Sequence, residues 1–255
     1  MKRYVALGSS MAAGPGIRPR AAGAPWRAGR SARNYPHLVA SQAGLDLIDV
    51  TYSGATTAHV LSERQNGAAP QLTALNGTEA VVTVTIGGND VGYVPMLLAA
   101  SVPSLLRYLP LLGGRLNELL DRQARDRALW GLLDSLCEVG RSVRRHAPRA
   151  RIFFVDYLTI LPPADESAWP LSDEHAELGR HVAQTLERLT AEAAAATDCE
   201  VVSAAAASRN HHAWSQRPWT TMPSKTVVPL PGRPAPLHPN EAGMRAVADL
   251  VLQEL

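Results

Sequence analysis

The chain has 255 residues, of which 46% are hydrophobic and 19% are charged. This composition is typical of a globular protein and excludes a wholly disordered one. The net charge is only +2, from 25 basic and 23 acidic residues, so we expect no nucleic-acid partner. No apolar run reaches the about 18 residues that a membrane-spanning helix needs, so we expect no stable membrane insertion.

The cysteines and the first residues bear on the compartment. Cys137 and Cys199 are too few for a disulfide framework or a four-cysteine zinc site, and we expect two buried thiols. The apolar run that begins at Tyr4 is too short for a signal peptide. We therefore expect a cytoplasmic protein, or a secreted one if a leader was removed.

Short runs of apolar and β-branched residues predict five strands. In chain order these are residues 4–7, 45–50, 80–86, 151–156 and 200–203. Each run has the length of a strand, and the third, Val-Val-Thr-Val-Thr-Ile at 81–86, is the most strongly β-prone.

Helical patterns alternate with these strands. Residues 172–196 begin with Ser172 as the predicted N-cap, and residues 239–254 form the last predicted helix. Their apolar stripes are Leu178, Val182, Leu186, Leu189 and Ala193 in the first, and Met244, Val247, Ala248, Val251 and Leu255 in the second. Alternating strands and helices predict an α/β fold with a parallel sheet between two helical layers. We see no domain boundary and predict a single domain over residues 1–255.

Two long segments do not fit one strand or one helix. Residues 95–147 are rich in leucine and interrupted by proline and glycine. They predict either two or three packed crossover helices or a cap over an apolar pocket. The proline-rich segment 205–238 has little periodicity and predicts a long loop, which in a compact domain is usually functional or disordered.

Small and polar residues follow the first three predicted strands. The motifs are Gly-Ser-Ser at 8–10, Tyr-Ser-Gly-Ala at 52–55 and Gly-Gly-Asn-Asp at 87–90. A fourth, Leu-His-Pro-Asn at 237–240, precedes the last helix. Ligands of open parallel sheets bind beyond the carboxyl ends of the strands, so these motifs are expected to converge there.

The residue types in these motifs suit nucleophilic catalysis. A serine is a poor nucleophile at neutral pH and needs a base within hydrogen-bond reach, usually a histidine. The oxyanion of a tetrahedral intermediate needs fixed donors, such as backbone N–H groups and an asparagine amide. Each motif alone is a weak signal, whereas the four in this order indicate an active site.

Together these motifs resemble the SGNH (GDSL-type) hydrolase family, in particular its actinobacterial esterases and lipases. Matching blocks run from residue 4 to residue 243 and include Ser-Gly-Ala-Thr-Thr at 53–57 and His-Pro-Asn-Glu-Ala-Gly at 238–243. The resemblance implies a three-layer α/β/α sandwich with a flavodoxin-like five-stranded parallel sheet. It implies Ser10 as the nucleophile and His238 as the base. The implied oxyanion donors are the amides of Ser10 and Gly54 and the side chain of Asn89.

Two departures from the family pattern affect the expected site. Ser9 stands where the family usually has an aspartate that supports the nucleophile turn, and it is also an alternative nucleophile. Ala235 stands where the family usually has the triad acid, three residues before the histidine. We therefore predict a Ser10–His238 dyad in which the Ala235 carbonyl, or that of a neighbour, orients the imidazole. An acid from elsewhere in the chain is the alternative.

These observations predict a serine esterase that acts on a small-molecule carboxylic ester and needs no metal and no organic cofactor. Two alternatives use the same site, a carbohydrate O-deacetylase and an acyl-thioesterase. A third is a catalytically weakened ligand-binding protein, because of the changes at Ser9 and Ala235. The acyl length, the alcohol and the oligomeric state stay open.

Overall fold

A computed structural model describes residues 1–103, 113–223 and 233–255. Within these residues, five strands form one parallel sheet in the order β2-β1-β3-β4-β5. This is the flavodoxin-like order, and the predicted fold class is confirmed. The strands are β1 (Arg3–Gly8), β2 (Asp46–Asp49), β3 (Glu79–Thr85), β4 (Arg151–Val155) and β5 (Glu200–Val202), each within one residue of its predicted bounds.

Helices connect the strands and cover both faces of the sheet. The helices within the described residues are α1 (Ser10–Ala13), α2 (Tyr35–Ala43), α3 (Thr57–Leu61), α4 (Tyr93–Ser101), α5 (Gly113–Leu120), α6 (Arg122–Trp130), α7 (Leu132–His146), α8 (Asp173–Ala196), α9 (Ala204–Ala207) and α10 (Glu241–Glu254).

The core consists of two apolar layers, one on each face of the sheet. In β1, Tyr4 and Ala6 belong to the layer under α2 and α10, whereas Val5 and Leu7 belong to the layer under α7 and α8. Successive side chains of a strand point to opposite faces, and here both faces are covered by helices. This explains why the strands appear in the sequence as runs of mainly apolar and β-branched residues.

The two long predicted helices form with the caps that their sequences provide. Ser172 accepts a hydrogen bond from the backbone N–H of His175 at the start of α8, and all five predicted stripe residues of α8 are buried. Asn240 caps α10 by accepting from the N–H of Gly243 at 2.9 Å, so this helix begins two residues later than predicted. Leu255 is 42% exposed, and its assignment to the stripe was wrong because the helix ends at Glu254.

The segment between β3 and β4 contains the predicted helical insertion. Helix α7 is a crossover helix of the core, packed on α8, while α5 and α6 pack between α4 and α8. Residues 104–112 of the predicted 95–147 segment lie outside the described residues, and the cap stays a prediction. Within 205–238, the described part includes a short 3₁₀ helix, Arg209–His211, and residues 224–232 lie outside the described residues.

Two smaller expectations have clear outcomes. Among the described residues, no helix has the length and apolar character to span a bilayer. Both cysteines are free thiols, but only Cys137 is buried, and Cys199 is partly exposed at the end of α8.

Candidate active site

Three turns meet at the carboxyl edge of the sheet, as their strand ends predict. We name them the serine turn (residues 8–10), the glycine turn (52–55) and the asparagine turn (87–90). The N–H of Ser9 donates to the carbonyl of Thr85, the last residue of β3, at 2.9 Å. The N–H of Tyr52 donates to the carbonyl of Gly8, also at 2.9 Å. Backbone hydrogen bonds therefore connect the serine turn to both neighbouring strand ends.

The serine turn needs glycine at position 8. Gly8 has φ +145°, and a Cβ there would lie 2.5 Å from the carbonyl oxygen of Thr85. No L side chain fits at that distance, so the glycine allows β1 to end abruptly against β3. The chain turns at once into α1, and this places Ser10 at the first position of the helix.

The structure brings Ser10 and His238 together although 228 positions separate them. The hydroxyl oxygen of Ser10 lies 2.8 Å from Nε2 of His238. The other ring nitrogen, Nδ1, lies 2.7 Å from the carbonyl oxygen of Pro236. A carbonyl only accepts hydrogen bonds, so Nδ1 carries the proton, and Nε2 of the neutral ring accepts from the Ser10 hydroxyl.

The carbonyl that contacts the imidazole is that of Pro236, so the specific choice of Ala235 was wrong. Residues 235–238, which we name the histidine turn, are closed by a 3.3 Å hydrogen bond from the N–H of His238 to the carbonyl of Ala235. The Ala235 carbonyl also accepts from Thr221 Oγ1 at 2.6 Å. Leu237 has φ +59°, as in a type II turn, whose central carbonyl takes no part in closing the turn. The Pro236 carbonyl is therefore free for Nδ1.

Ser9, the alternative nucleophile, lies on the buried side of the serine turn. Its side chain is fully buried, and its Oγ lies 2.9 Å from the phenol oxygen of Tyr157. Ser10 is the serine that contacts His238. The two adjacent hydroxyls therefore have different environments, one in the core and one at the histidine.

The predicted oxyanion donors lie on the two other turns. Gly54 is exposed with φ +80°, and its N–H has no acceptor among the described residues. Asn89 donates from Nδ2 to the carbonyl of Ala55 at 2.8 Å, which uses one of its two amide hydrogens and leaves the other. The N–H of Ser10, at the first position of a helix, has no intrahelical acceptor.

The chain is similar in sequence to known proteins. Residues 6–246 match the model of the GDSL-like lipase/acylhydrolase family. The chain belongs to this family. It is 32% identical over 262 residues to lipase 2 of Streptomyces coelicolor, a match that covers 99% of this chain and 85% of the relative. This hydrolase thus has the predicted enzyme class, a carboxylic ester hydrolase.

Two solved structures share the fold of the hydrolase over its length. Phospholipase A1 from Streptomyces albidoflavus NA297 superposes with a TM-score of 0.79 at 23% identity, covering 99% of this chain and 98% of that one. An extracellular lipase from Streptomyces rimosus superposes with a TM-score of 0.77 at 25% identity, covering 100% and 99%. The predicted resemblance and the three-layer architecture are confirmed.

The pKa of His238 in this hydrolase is lowered from its ordinary value of 6.5. Burial at the base of the site is the larger cause, because it disfavours the charged imidazolium. The hydrogen bond to the Pro236 carbonyl acts in the opposite direction. Among the described residues no carboxylate contacts this ring, so the acid-from-elsewhere alternative finds no candidate there.

Asp90 connects the asparagine turn of the hydrolase to α3. Its carboxylate accepts from the N–H of Thr57 at 3.0 Å and from the Thr57 hydroxyl at 2.5 Å. Burial raises the pKa of Asp90, and these hydrogen bonds partly offset the shift. Because Thr57 follows the glycine turn, Asp90 keeps the two turns that carry Gly54 and Asn89 in a fixed relation.

Gln71 is a site residue of the hydrolase that sequence reasoning missed. Its buried side-chain amide accepts from the N–H of Gly8 at 2.7 Å and donates to the carbonyl of Gly8 at 3.0 Å. The Gln71 side chain therefore makes the two hydrogen bonds with Gly8 that the backbone of a neighbouring strand would make. Gln71 lies in a short 3₁₀ helix, Gln71–Ala74, that no sequence pattern indicated.

Tyr157 was missed as well, although a signal was present. It lies two residues after β4, at the same edge of the sheet as the three turns. Because ligands gather beyond the carboxyl ends of all the strands of a parallel sheet, the residues that follow β4 are candidates as well.

Proposed function

We propose that this hydrolase cleaves carboxylic esters through an acyl-enzyme on Ser10, with His238 as the general base and no side-chain acid. The observation that carries the proposal is the pair of contacts of His238, 2.8 Å to Ser10 Oγ and 2.7 Å to the Pro236 carbonyl. Together they leave Nε2 unprotonated and directed at the Ser10 hydroxyl, which supports Ser10 as the nucleophile.

In the acylation step, Nε2 of His238 takes the Ser10 proton while Oγ bonds to the ester carbon. The carbonyl oxygen becomes an oxyanion, and the N–H groups of Ser10 and Gly54 and the free amide hydrogen of Asn89 donate to it. The tetrahedral intermediate then loses its C–O bond to the alcohol. The imidazolium returns its proton to the leaving oxygen, so that an alcohol departs and Ser10 holds the acyl group.

Deacylation repeats these steps with water. His238 takes a proton from a water molecule, whose oxygen attacks the acyl carbon. When the bond to Ser10 Oγ breaks, the proton passes back to Oγ, and a carboxylic acid is released. In both halves the Pro236 carbonyl keeps Nδ1 protonated, but as a neutral group it stabilises the imidazolium less than a carboxylate would.

The pH dependence of the reaction follows from His238. Only the neutral ring can act as a base, and burial lowers the pKa of this ring below 6.5. We therefore expect kcat/KM on p-nitrophenyl butyrate to be lost as the pH falls, with a midpoint below 6.5 and a plateau above it. An acidic midpoint above 7 would contradict the assignment of His238 as the base.

Intact mass after incubation with a fluorophosphonate probe tests the nucleophile. We expect one adduct on the wild type, none on Ser10→Ala, and one, formed more slowly, on the matched variant Ser9→Ala. An adduct that persists in Ser10→Ala and disappears in Ser9→Ala would move the nucleophile to Ser9. Absence of any adduct on a folded wild type would favour the catalytically weakened binding protein.

For the substrate we propose esters of fatty acids, because the curated Streptomyces coelicolor relative is a lipase. Turnover of p-nitrophenyl acetate, butyrate and octanoate, an acetylated xylo-oligosaccharide and an acyl-coenzyme A thioester would test this. Highest kcat/KM on butyrate or octanoate supports the proposal. Preference for the acetylated sugar or the thioester would replace it with the corresponding alternative.

A further inference from the structure

We propose that Tyr157 is a positioning residue of this active site, because its buried phenol connects the serine turn to the asparagine turn. The proposal rests on the proposed function, since it concerns how Ser10 and Asn89 are kept in place. Tyr157 contacts neither the reacting atoms nor His238 through any described hydrogen bond. Its effect on the reaction passes through the residues that precede the nucleophile and the oxyanion donor.

The phenol oxygen makes two hydrogen bonds, one to each turn. The N–H of Gly88 donates to it at 3.1 Å, and Gly88 directly precedes Asn89. On the other side, Ser9 Oγ lies 2.9 Å away and directly precedes Ser10. Because the phenol oxygen accepts from Gly88, its own O–H is available to donate to Ser9. The phenol oxygen thereby connects the serine turn to the asparagine turn.

The ring of Tyr157 also packs tightly under the asparagine turn. A Cβ on Gly88 would lie 2.3 Å from Cε2 of the ring, so only glycine fits above it. The ring therefore limits movement of the turn toward the core, while the hydrogen bond limits movement away from it. Such two-sided restraint keeps the Asn89 amide where charge develops in the transition state.

Tyr157 is suited to act as a neutral hydrogen-bonding group. Burial raises its pKa to about 12, and its hydrogen bonds with Ser9 and Gly88 only partly oppose the shift. The phenol therefore keeps its proton across the working pH range and takes no part in proton transfer. Its removal should change the rate without changing the shape of the pH profile.

This arrangement accounts for the serine at position 9. A serine hydroxyl is shorter than a carboxylate and ends at the phenol, 2.9 Å away, and the phenol in turn reaches Gly88. Ser9 and Tyr157 thus form a two-residue link that spans the gap between the turns.

Tyr157→Phe is the direct test, because it removes only the phenol oxygen. The matched control is Tyr93→Phe: Tyr93 is also buried, and its phenol oxygen has no hydrogen-bond partner among the described residues. We expect kcat on p-nitrophenyl butyrate to fall about 10-fold or more in Tyr157→Phe, with KM within about twofold, and to stay within about twofold in Tyr93→Phe. Rates are taken per active site after fluorophosphonate titration, below the unfolding temperature of each variant.

The double variant Ser9→Ala/Tyr157→Phe tests whether the phenol acts through Ser9. If the phenol acts through Ser9, Ser9→Ala and Tyr157→Phe remove the same link, and the double variant will be about as slow as the slower single one. The pH profile of Tyr157→Phe should keep the acidic midpoint of the wild type. A purely structural tyrosine would lower the unfolding temperature and leave kcat per active site unchanged, which would overturn the inference.

Failure of this inference can be told apart from failure of the proposed function. If Ser10→Ala is inactive and Tyr157→Phe keeps wild-type kcat, the dyad stands and the positioning role is wrong. Independent losses that multiply in the double variant also overturn the link through Ser9. If Ser10→Ala keeps its activity, the nucleophile itself has been assigned wrongly.

Discussion

The serine turn and the histidine turn carry the two ends of the Ser10–His238 hydrogen bond but differ in the groups that support them. Besides its backbone bonds to the neighbouring strand ends, the serine turn is supported by two side chains distant in sequence, Gln71 on Gly8 and Tyr157 on Ser9. The histidine turn is supported mainly by backbone groups, together with the hydroxyl of Thr221: the Ala235 carbonyl closes the turn and the Pro236 carbonyl orients the ring. A backbone carbonyl survives every substitution, whereas a side-chain support does not. The nucleophile side should therefore be the more sensitive to mutation of its supports.

The largest loss of kcat is expected when the general base itself is removed. His238→Ala removes the base, and we expect kcat to fall by about 10⁴- to 10⁶-fold, because only binding and the oxyanion donors remain. Stopped assays with p-nitrophenyl butyrate measure this loss. His146→Ala, at the exposed end of α7, is the matched control and should keep wild-type kcat. A loss of less than tenfold in His238→Ala would contradict the dyad.

Gln71→Leu breaks the side-chain support of the serine turn. The Gly8 carbonyl keeps its bond from Tyr52, but the Gly8 N–H loses its acceptor while it stays buried. We expect the free energy of unfolding to fall by about 2 kcal/mol, with a lower kcat in the variant that remains folded. Urea denaturation and kcat below the transition measure both.

Thr73→Ala is the matched control for Gln71→Leu. Thr73 lies in the same 3₁₀ helix, and its hydroxyl donates only to the exposed neighbouring carbonyl of Pro70. We expect neither stability nor kcat to change appreciably. If Gln71→Leu behaves like Thr73→Ala, the serine turn does not depend on the amide of Gln71.

Asp156, the neighbour of Tyr157 in the sequence, is expected to make the stability of the folded protein depend on pH. Its carboxylate accepts from the N–H of Ala205 at 2.7 Å. Burial, and to a smaller extent Glu187, raise its pKa to about 7 from 3.8, while the Ala205 bond and Arg209 oppose the shift. The folded protein thus binds this proton more tightly than the unfolded chain. The resulting stability is fully present below about pH 4 and is lost as the pH rises through about 7.

Asp156→Asn should remove that dependence. The amide oxygen can still accept from Ala205, and no charge is buried above pH 7. We expect the variant to be more stable than the wild type by about 4 kcal/mol at pH 8 and close to it in stability at pH 4. Asp249→Asn, on the exposed face of α10, is the matched control and should change neither value. Denaturant titrations at pH 4 and pH 8 measure the free energy of unfolding of each variant. A wild-type stability that rises from pH 4 to pH 8 relative to Asp156→Asn would contradict the prediction.

The smallest effect is expected at the histidine turn itself. Pro236→Ala keeps the carbonyl that accepts from Nδ1 but frees the backbone φ of this residue. We expect kcat to fall only about threefold, much less than in Tyr157→Phe. A loss as large as that of Tyr157→Phe would show that the backbone support is no more robust than the side-chain support, and the comparison would fail.

Sequence patterns and family resemblance were enough to predict the strands, the long helices and the identity of the two residues that meet. The strands and the long helices rest on local information, such as the apolar periodicity of β3 and α8. The choice of Ser10 and His238 came from the resemblance of the motifs to the SGNH hydrolase family. The short motifs even placed Ser10 and His238 at one edge of the sheet. What a side chain does within its own turn can be inferred in this way, because the spacing of neighbouring residues decides it.

The groups that support that site depend on contacts between segments that are distant in the sequence. Gln71 meets Gly8 across 63 positions, and Tyr157 meets Ser9 across 148, so no local pattern relates either pair. The Pro236 carbonyl was misassigned to Ala235 because the direction of a backbone carbonyl depends on the dihedral angles of the turn, here the positive φ of Leu237. Residue types along a chain specify which groups are available. The packing of distant segments and the angles of the backbone decide which of those groups come within 3 Å of each other.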